Sequence, residues 1–525
     1  MKKKLSWLLV LLLTLSLFGT AMAEVNKEGL PIVDETATFS ILVDDSGKLE
    51  DKVMYPILEE QTNVKVDAIL LPYEVARERK NILISSGDYP DAIGGWLLSE
   101  TDILNDGMGE GLYIPLEDLI EEYAPNMRAI LEIPGVRQTM TLPDGHIYTI
   151  PYVIEEPLVT FLPWINMDWL ERVGMEMPTT TDELTEVLRA FKEQDANGNG
   201  DPNDEIPFSG DPNNLNIGQL AGWFGVNAYG SSRGTHPYFA MIDGKIEFQA
   251  NKEGFRDFIK YFAGLYAEGL VDPELFTQDL ALWKSKGKQD LYGVSVAYGS
   301  GDFYDPDPIT NKTPFDALPV LRASDDIEPV YRRNGYGVTT FRTQVAITDK
   351  AADPALIIRW FDNVFELDNS IQIQNGLFGV KIEKLDDGSF RRLDESGLTE
   401  EEREKYDWGN MFTQSLPKLI PVGLKIAPAE GIEPKYEEKP IADALYEPYL
   451  DEPIPQAWLT GEAAERSSAL QTDIASYVDQ KVAEWISGEK DIDAEWDAYV
   501  AQLDKLGLAE LTQIKQDAID SIPAE

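Results

Sequence analysis

Lys2, Lys3 and Lys4 precede an apolar run from Leu5 to Phe18, and the small-x-small triplet Ala21-Met22-Ala23 closes it. This is the pattern of a secretory leader over residues 1–23, cleaved before Glu24. The chain is therefore expected to fold outside the cytoplasm, yet it contains no cysteine. Without disulfides to restrict the unfolded state, stability has to come from large apolar cores, with a bound metal as the one other staple available. The missing thiol also removes the usual residue for lipid attachment behind a leader. The expected product is an exported, unanchored protein.

Large cores are available. The 525 residues exceed what one hydrophobic core serves, and 43% of them are apolar, so two or more lobes are expected. The leader run is too short to cross a bilayer as a helix, and no later stretch is longer. The whole sequence carries a net charge of −48; without the three leader lysines, 42 basic residues face 93 acidic ones, giving −51. Such a surface repels nucleic acid and other polyanions. His146 and His236 are the only histidines, which leaves little room for histidine zinc sites or a histidine-based triad, while carboxylate chemistry stays open.

Alternating apolar residues at Phe39, Ile41 and Val43, a short helical stretch around Ile57-Leu58, and a second strand at Val64–Ile69 read as strand, helix, strand in a parallel sheet. Leu184, Val187, Leu188 and Phe191 follow helical spacing, as do Phe255, Phe258, Ile259 and Phe262. The class is mixed α/β. Near the C-terminus one stripe, Leu470 to Ile486, stops at Gly488, and a second, Trp496 to Leu503, stops before Gly507. Their aromatics are expected to be core. No internal repeat or low-complexity tether separates the lobes, so strands should join them.

One segment carries definite ligand chemistry. Asp195, Asn197, Asn199 and Asp201 alternate with small residues, Gly200 occupies the sixth position, and Asp204-Glu205 follow. Oxygen donors at positions one, three and five with a glycine at six form the pattern of a calcium loop. Position twelve is Ile206 where an EF-hand loop has glutamate, so closure falls to Asp204 or Glu205. A self-solvating Asn/Gly turn is the competing reading. Calcium bound here would be structural.

The chain resembles the family 1 extracellular solute-binding proteins of bacterial ABC transporters, in the long-chain branch that includes lipoprotein-like and alginate-oligosaccharide-binding members. The resemblance runs nearly end to end. It is carried by Ser86-Gly87-Asp88-Tyr89-Pro90-Asp91, by Ile114-Pro115-Leu116-Glu117-Asp118-Leu119, and by Asp144-Gly145-His146-Ile147-Tyr148 leading to Pro151. Asn166-Met167-Asp168-Trp169-Leu170, Pro178-Thr179-Thr180, the Asn/Gly loop and Trp496-Asp497-Ala498-Tyr499 extend it.

What the resemblance implies is the type II periplasmic binding fold: two discontinuous α/β lobes, a hinge and an interlobe cleft. The lobes are then expected as 24–155 and 341–382 for the first, and 156–340 and 383–525 for the second. Its implied partners are a saccharide ligand and the permease subunits of an ABC importer, with the protein itself a monomer.

Sugars offer hydroxyls at the ring edge and C–H groups on the faces, so a cleft for them needs aromatic plates beside carboxylates and amides. Trp96 follows a strand end, where an open parallel sheet places its ligand crevice; core packing is the alternative. Tyr152 and Glu155 flank the first crossing, as cleft groups or as hinge packing and a solvated acid. In the second lobe Trp223 sits between glycines, and Tyr298 and Asp302 flank Gly299-Ser300-Gly301. Each of these could serve the ligand or a tight turn. Two rival functions remain: a binding protein for a peptide or another polar solute, and a secreted carbohydrate-active enzyme with a carboxylate pair. No local signature nominates such a pair.

Overall fold

The computed structural model describes residues 24–522, apart from 46, 212–216, 230–236, 308–309, 336–337, 420–423 and 432–435. The leader and His236 lie outside the described residues. Among those residues no helix is long and apolar enough to cross a membrane.

The strands that organise the chain are β1 (Ala37–Asp44), β2 (Val64–Leu71), β3 (Ala92–Gly94), β4 (Ile150–Glu155), β5 (Leu162–Asn166), β6 (Ile206–Gly210), β7 (Phe239–Ile242), β8 (Lys245–Phe248), β9 (Tyr292–Ala297), β10 (Phe315–Ala317) and β11 (Val338–Ile347). The first sheet has the order β2-β1-β3-β11-β4 and the second β10-β5-β9-β6, while β7 and β8 form a separate hairpin. The helix Met54–Thr62 connects β1 to β2, and these pair in parallel from Ala37 opposite Val64 to Asp44 opposite Leu71. The strand-helix-strand unit read from the sequence is thus present. A helix on the connection is what parallel pairing demands, because a tight turn cannot reverse the chain twice.

Each sheet has its own core. Phe39, Ile41, Val43, Ile150 and Val345 of the first sheet bury against Trp360, Phe361 and neighbouring helices. Trp164, Phe208 and Val294 of the second bury against Phe191, Phe258, Phe262 and the C-terminal helices. The helices Thr181–Glu193 and Glu253–Ala267 present the two apolar stripes inward. A Thr180 capping box starts the first of them, with two backbone donors satisfied by side chains. Trp485, Trp496 and Tyr499 pack on one another in the second core, as their helical spacing predicts.

The chain leaves the first sheet at Glu155 and enters the second at Leu162, then returns between Tyr331, in the second core, and Val338. The boundary expected after residue 382 is corrected: Met411, Phe412 and Leu416 lie in the first core, and only from Ala442 onward does the chain rejoin the second. The first lobe therefore keeps its later segment well beyond 382. A stretch beyond Leu450 also touches both bodies. Tyr331 bridges Leu450 in the second lobe, whereas Trp458 is buried with Leu42, Leu97 and Tyr113 of the first.

Candidate functional site

Strand direction decides where a site can form. β1 and β3 run parallel, and β11 runs antiparallel to both β3 and β4. The carboxyl ends of β1, β3 and β4 and the amino end of β11 therefore share one edge of the first sheet. In the second sheet β6 and β9 run parallel while β5 opposes β9, with Leu162 opposite Ala297. The carboxyl ends of β6 and β9 therefore lie where the crossing segment enters. Both sheets aim their carboxyl edges at the crossing, which is where open α/β sheets bind ligands.

On the first lobe, Trp96 is 45% exposed although it is tryptophan. Its backbone N–H donates to Asp44 Oδ1 at 2.8 Å. The turn requires Gly95, whose φ is +81° and whose added Cβ would stand 1.9 Å from that same oxygen. The Trp96 ring meets Phe341 edge-on at 5.2 Å, and Phe341 lies 5.3 Å from Tyr152. Lys418 Nζ sits 5.3 Å from the Tyr152 ring and 5.7 Å from Trp408, donating to the Gln414 carbonyl at 2.9 Å. Burial pushes the Lys418 ammonium down to about 8. Burial raises Asp44 above the usual carboxylate range, with the Trp96 N–H opposing that shift.

On the second lobe, Tyr298 is 36% exposed, lies 5.9 Å from Phe161, and has Lys439 Nζ 4.1 Å above its ring. Burial first, then the nearby acids Glu156, Asp302 and Asp443, pushes the Tyr298 phenol up to about 12. Lys439, brought down to about 8 by burial, donates to the carbonyls of Val159 and Thr160. Asp443, one helical turn on, accepts the N–H groups of Leu158 and Val159, each at 3.0 Å. Glu438 accepts from the backbone and hydroxyl of Ser300. The helix Glu438–Tyr446 thus holds both the crossing segment and the loop that follows β9.

The structure separates the candidates of the sequence. Trp96 and Tyr298 are exposed rings at the two ends of the crossing, the second with the Lys439 ammonium over one face. Tyr152 is 7% exposed and supports Phe341 as hinge packing. Glu155 and Asp302 are exposed, and the Asp302 carboxylate accepts the Gly299 N–H at 3.0 Å. Trp223 is corrected: it is fully buried in the second core. Its flanking glycines serve a close backbone approach, in which the Val330 N–H reaches the Gly222 carbonyl at 3.0 Å. Sequence reasoning missed Phe341, Lys418, Trp408, Phe161 and Lys439. Phe341 alone had a signal, since it opens the segment 341–382 expected to return to the first lobe.

The Asn/Gly loop gathers its donors closely. Asp204 accepts from the side-chain amides of Asn197 at 3.0 Å and Asn199 at 2.7 Å. The Gly200 N–H donates to Asp195 Oδ2, and the Ala196 N–H to Glu205 Oε1. Asp201 Oδ1 instead serves the Asn203 N–H. Asp195 Oδ1 and Glu205 Oε2 are buried with no hydrogen-bond partner, a costly state for carboxylate oxygens. Burial raises Glu205 above its ordinary value. Among the described residues no three histidine, cysteine, aspartate or glutamate side chains converge as a metal cluster. A hard cation also takes amide and backbone carbonyl oxygens. Two orphaned carboxylate oxygens beside two asparagines fit calcium and do not fit zinc.

Residues 46–353 match the bacterial extracellular solute-binding protein family. The chain belongs to that family. It is similar to the fructooligosaccharide ABC transporter substrate-binding protein FusA of Streptococcus pneumoniae serotype 4, with 33% identity over 90% of this chain and 88% of the relative. Solved structures of FusA from S. pneumoniae include an EF-hand mutant with fructo-nystose and a complex with kestose. Each matches with a TM-score of 0.70 and 30% identity, covering 92% of this chain and 99% of FusA. An extracellular solute-binding protein from Bifidobacterium longum subsp. infantis matches with a TM-score of 0.78 at 23% identity, over 93% of this chain and 99% of that one. That last likeness concerns the fold. The two-lobed solute-binding fold expected from the sequence is the fold of this protein, and the family is one of exported binding proteins.

Proposed function

We propose that this protein is the substrate-binding component of an ABC importer and captures a short neutral oligosaccharide, with fructooligosaccharides the first class to test. The observation that carries this reading is the pair of exposed aromatic rings, Trp96 and Tyr298, one at each end of the segment joining the lobes. A sugar stacked on both holds the lobes together, because only a ligand that binds the closed form better shifts the population toward it. FusA, the relative described above, is named for fructooligosaccharides.

Calcium at Asp195, Asn197, Asn199, Asp204 and Glu205 is read as a structural clamp on the loop ahead of β6. It supplies charge to the orphaned carboxylate oxygens. Asp201, whose Oδ1 serves Asn203, stands as a further donor of the same loop. The partners are the importer's permease subunits, with the protein acting as an exported monomer whose acidic surface turns away nucleic acid. With no cysteine in the sequence to carry a lipid, the transporter itself retains it at the surface.

Isothermal titration of the mature protein with kestose, maltotriose, galacturonate oligomers and a tripeptide tests the reading, with chromatography of the spent ligand. Saturable binding of a neutral oligosaccharide, recovered intact, is expected. Recovery of cleaved sugar would replace the binder with an enzyme, and binding of the tripeptide alone would change the cargo. A thermal scan before and after chelation tests the clamp: a lower melting temperature restored by calcium supports it, and an unchanged one removes it.

A further inference from the structure

Behind the aromatic plates lies a second concavity, a groove of about 290 Å³ lined by both lobes and by the returning crossing. Gln138 and Thr139 come from the helix Val136–Met140 of the first lobe, Thr340 from β11, Arg332 and Asn334 from the return crossing, and Gln456 from the stretch that touches both lobes. It is distinct from the plate region. Thr340 is the strand neighbour of Phe341, so its side chain leaves β11 on the opposite face, and neither Trp96 nor Tyr298 lines the groove.

Two features set it apart. The chain has 93 acidic residues, yet no aspartate or glutamate lines this groove among the described residues. At its wall, Arg332 is held with its guanidinium 4.6 Å over the Tyr229 ring. Among the described residues Arg332 makes no hydrogen bond and no ion pair, and its guanidinium keeps only the Tyr229 ring. The nearest acid acting on it, Asp451, already accepts the Arg333 N–H at 2.8 Å and the Asn227 amide. Burial draws the Arg332 pKa below its ordinary value without neutralising it. This half-buried planar fork of five N–H donors has no protein acceptor among the described residues, and its geometry matches an oxyanion.

We propose that this groove is a second binding site, for a small oxyanion of phosphate or carboxylate type held by the Arg332 guanidinium. The Thr340 hydroxyl offers a further donor at the groove wall. Because its walls belong to both lobes, its occupant touches the same hinge as the cleft ligand from the other face.

The test is isothermal titration of the mature protein with inorganic phosphate and, separately, with succinate, at ionic strength fixed by chloride. At least one of the two is expected to bind saturably, and which one identifies the source of the anion. Arg332→Gln should weaken that binding at least tenfold. Should this variant not fold, Gln138→Glu takes its place, since a carboxylate placed in the groove repels an anion there. Neither anion binding saturably, or binding that persists unchanged in the folded variant, overturns the proposal. Kestose binding reads the plate site independently of this outcome.

Discussion

Replacing Lys418 with methionine should make the protein more stable at neutral pH and less so, relative to wild type, in alkali. Lys418 is 2% exposed and has no carboxylate within ion-pair distance among the described residues; it lies between the Tyr152 and Trp408 rings. Its ammonium falls from 10.5 to about 8 through burial. At ~1.4 kcal/mol per tenfold change in the protonation equilibrium, that fall corresponds to roughly 3 kcal/mol of desolvation carried by the folded state at pH 7. Methionine fills similar volume and keeps contact with both rings, but it gives up the bond to the Gln414 carbonyl. That bond and the lost ring attraction offset about 1–2 kcal/mol. The net expectation is a gain of about 1–2 kcal/mol at pH 7.

The pH dependence checks the cause. The folded pKa is depressed, so between about 8 and 10.5 the unfolded chain holds a proton that the folded chain has released. Wild-type stability contributed by this group is therefore present above pH 10.5 and lost as pH falls through about 8. Urea denaturation of both proteins at pH 7, 9 and 10.5, followed by tryptophan fluorescence, measures the difference directly. Lys439 and Lys515 also titrate near 8, but they are common to both chains and cancel. A variant that is less stable at pH 7, or a difference that stays constant across the three pH values, refutes the reasoning.

Trp96→Ala should weaken oligosaccharide binding by ~1–3 kcal/mol, because it removes one stacking plate; its 45% exposure predicts a melting temperature within a degree or two of wild type. Titration and a thermal scan read both. Gly95→Ala forces a Cβ to within 1.9 Å of Asp44 Oδ1 at a φ of +81°, and should lower stability by ~2 kcal/mol or more in urea denaturation. His146→Gln tests an exposed pair. Glu117 beside it raises the imidazole pKa above 6.5, so the stability that His146 contributes is present below that value and lost as pH rises past the raised one. The variant should melt earlier than wild type at pH 5.5 and together with it at pH 9.

Periodicity revealed what is local. Phe191 and Phe262 end stripes whose burial follows from helical spacing, and the alternation of Phe39, Ile41 and Val43 announced a strand with one core face. The Asn/Gly loop is local in the same way, with its oxygen-bearing side chains inside eleven consecutive positions. Contacts between distant segments were not. Lys418 meets Tyr152 and Lys439 meets Tyr298 across separations that no local pattern records, and Glu438-Lys439 reads in sequence as a solvated charge run. Met411 and Phe412 carried the first core past residue 382 from a helix of a single turn, too short to show a period. Trp223 misled because flanking glycines signal close backbone approach without saying whether a ligand or another strand does the approaching.

The hydrogen bonds at the crossing define where the two bodies can bend. Residues up to Glu155 are tied to the first lobe by the pairing of β4 with β11, whose last register pair is Glu155 with Val338. From Leu158 onward the same segment is tied to the second lobe by Asp443 and Lys439. Asn334 donates to the Leu158 carbonyl at 2.8 Å, so the returning crossing is fixed to the second lobe as far as that residue. The third connection behaves alike: Asp451 is bound to Arg333 in the second lobe, whereas Arg342 holds the Gln456 and Ala457 carbonyls and Trp458 donates to Thr139 in the first. Pro157 accepts from Asn334, Gly335 from Arg333, and Glu452 bridges Met241, so the joints narrow to Glu156, the stretch between Gly335 and Val338, and residues 453–455. Three short joints between two well-packed cores restrict motion to a rotation of rigid bodies, the hinge-type closure known for domain pairs joined at loop ends. Lys439 links this joint to the second lobe's exposed ring, because the side chain that holds the Val159 and Thr160 carbonyls also lies across Tyr298.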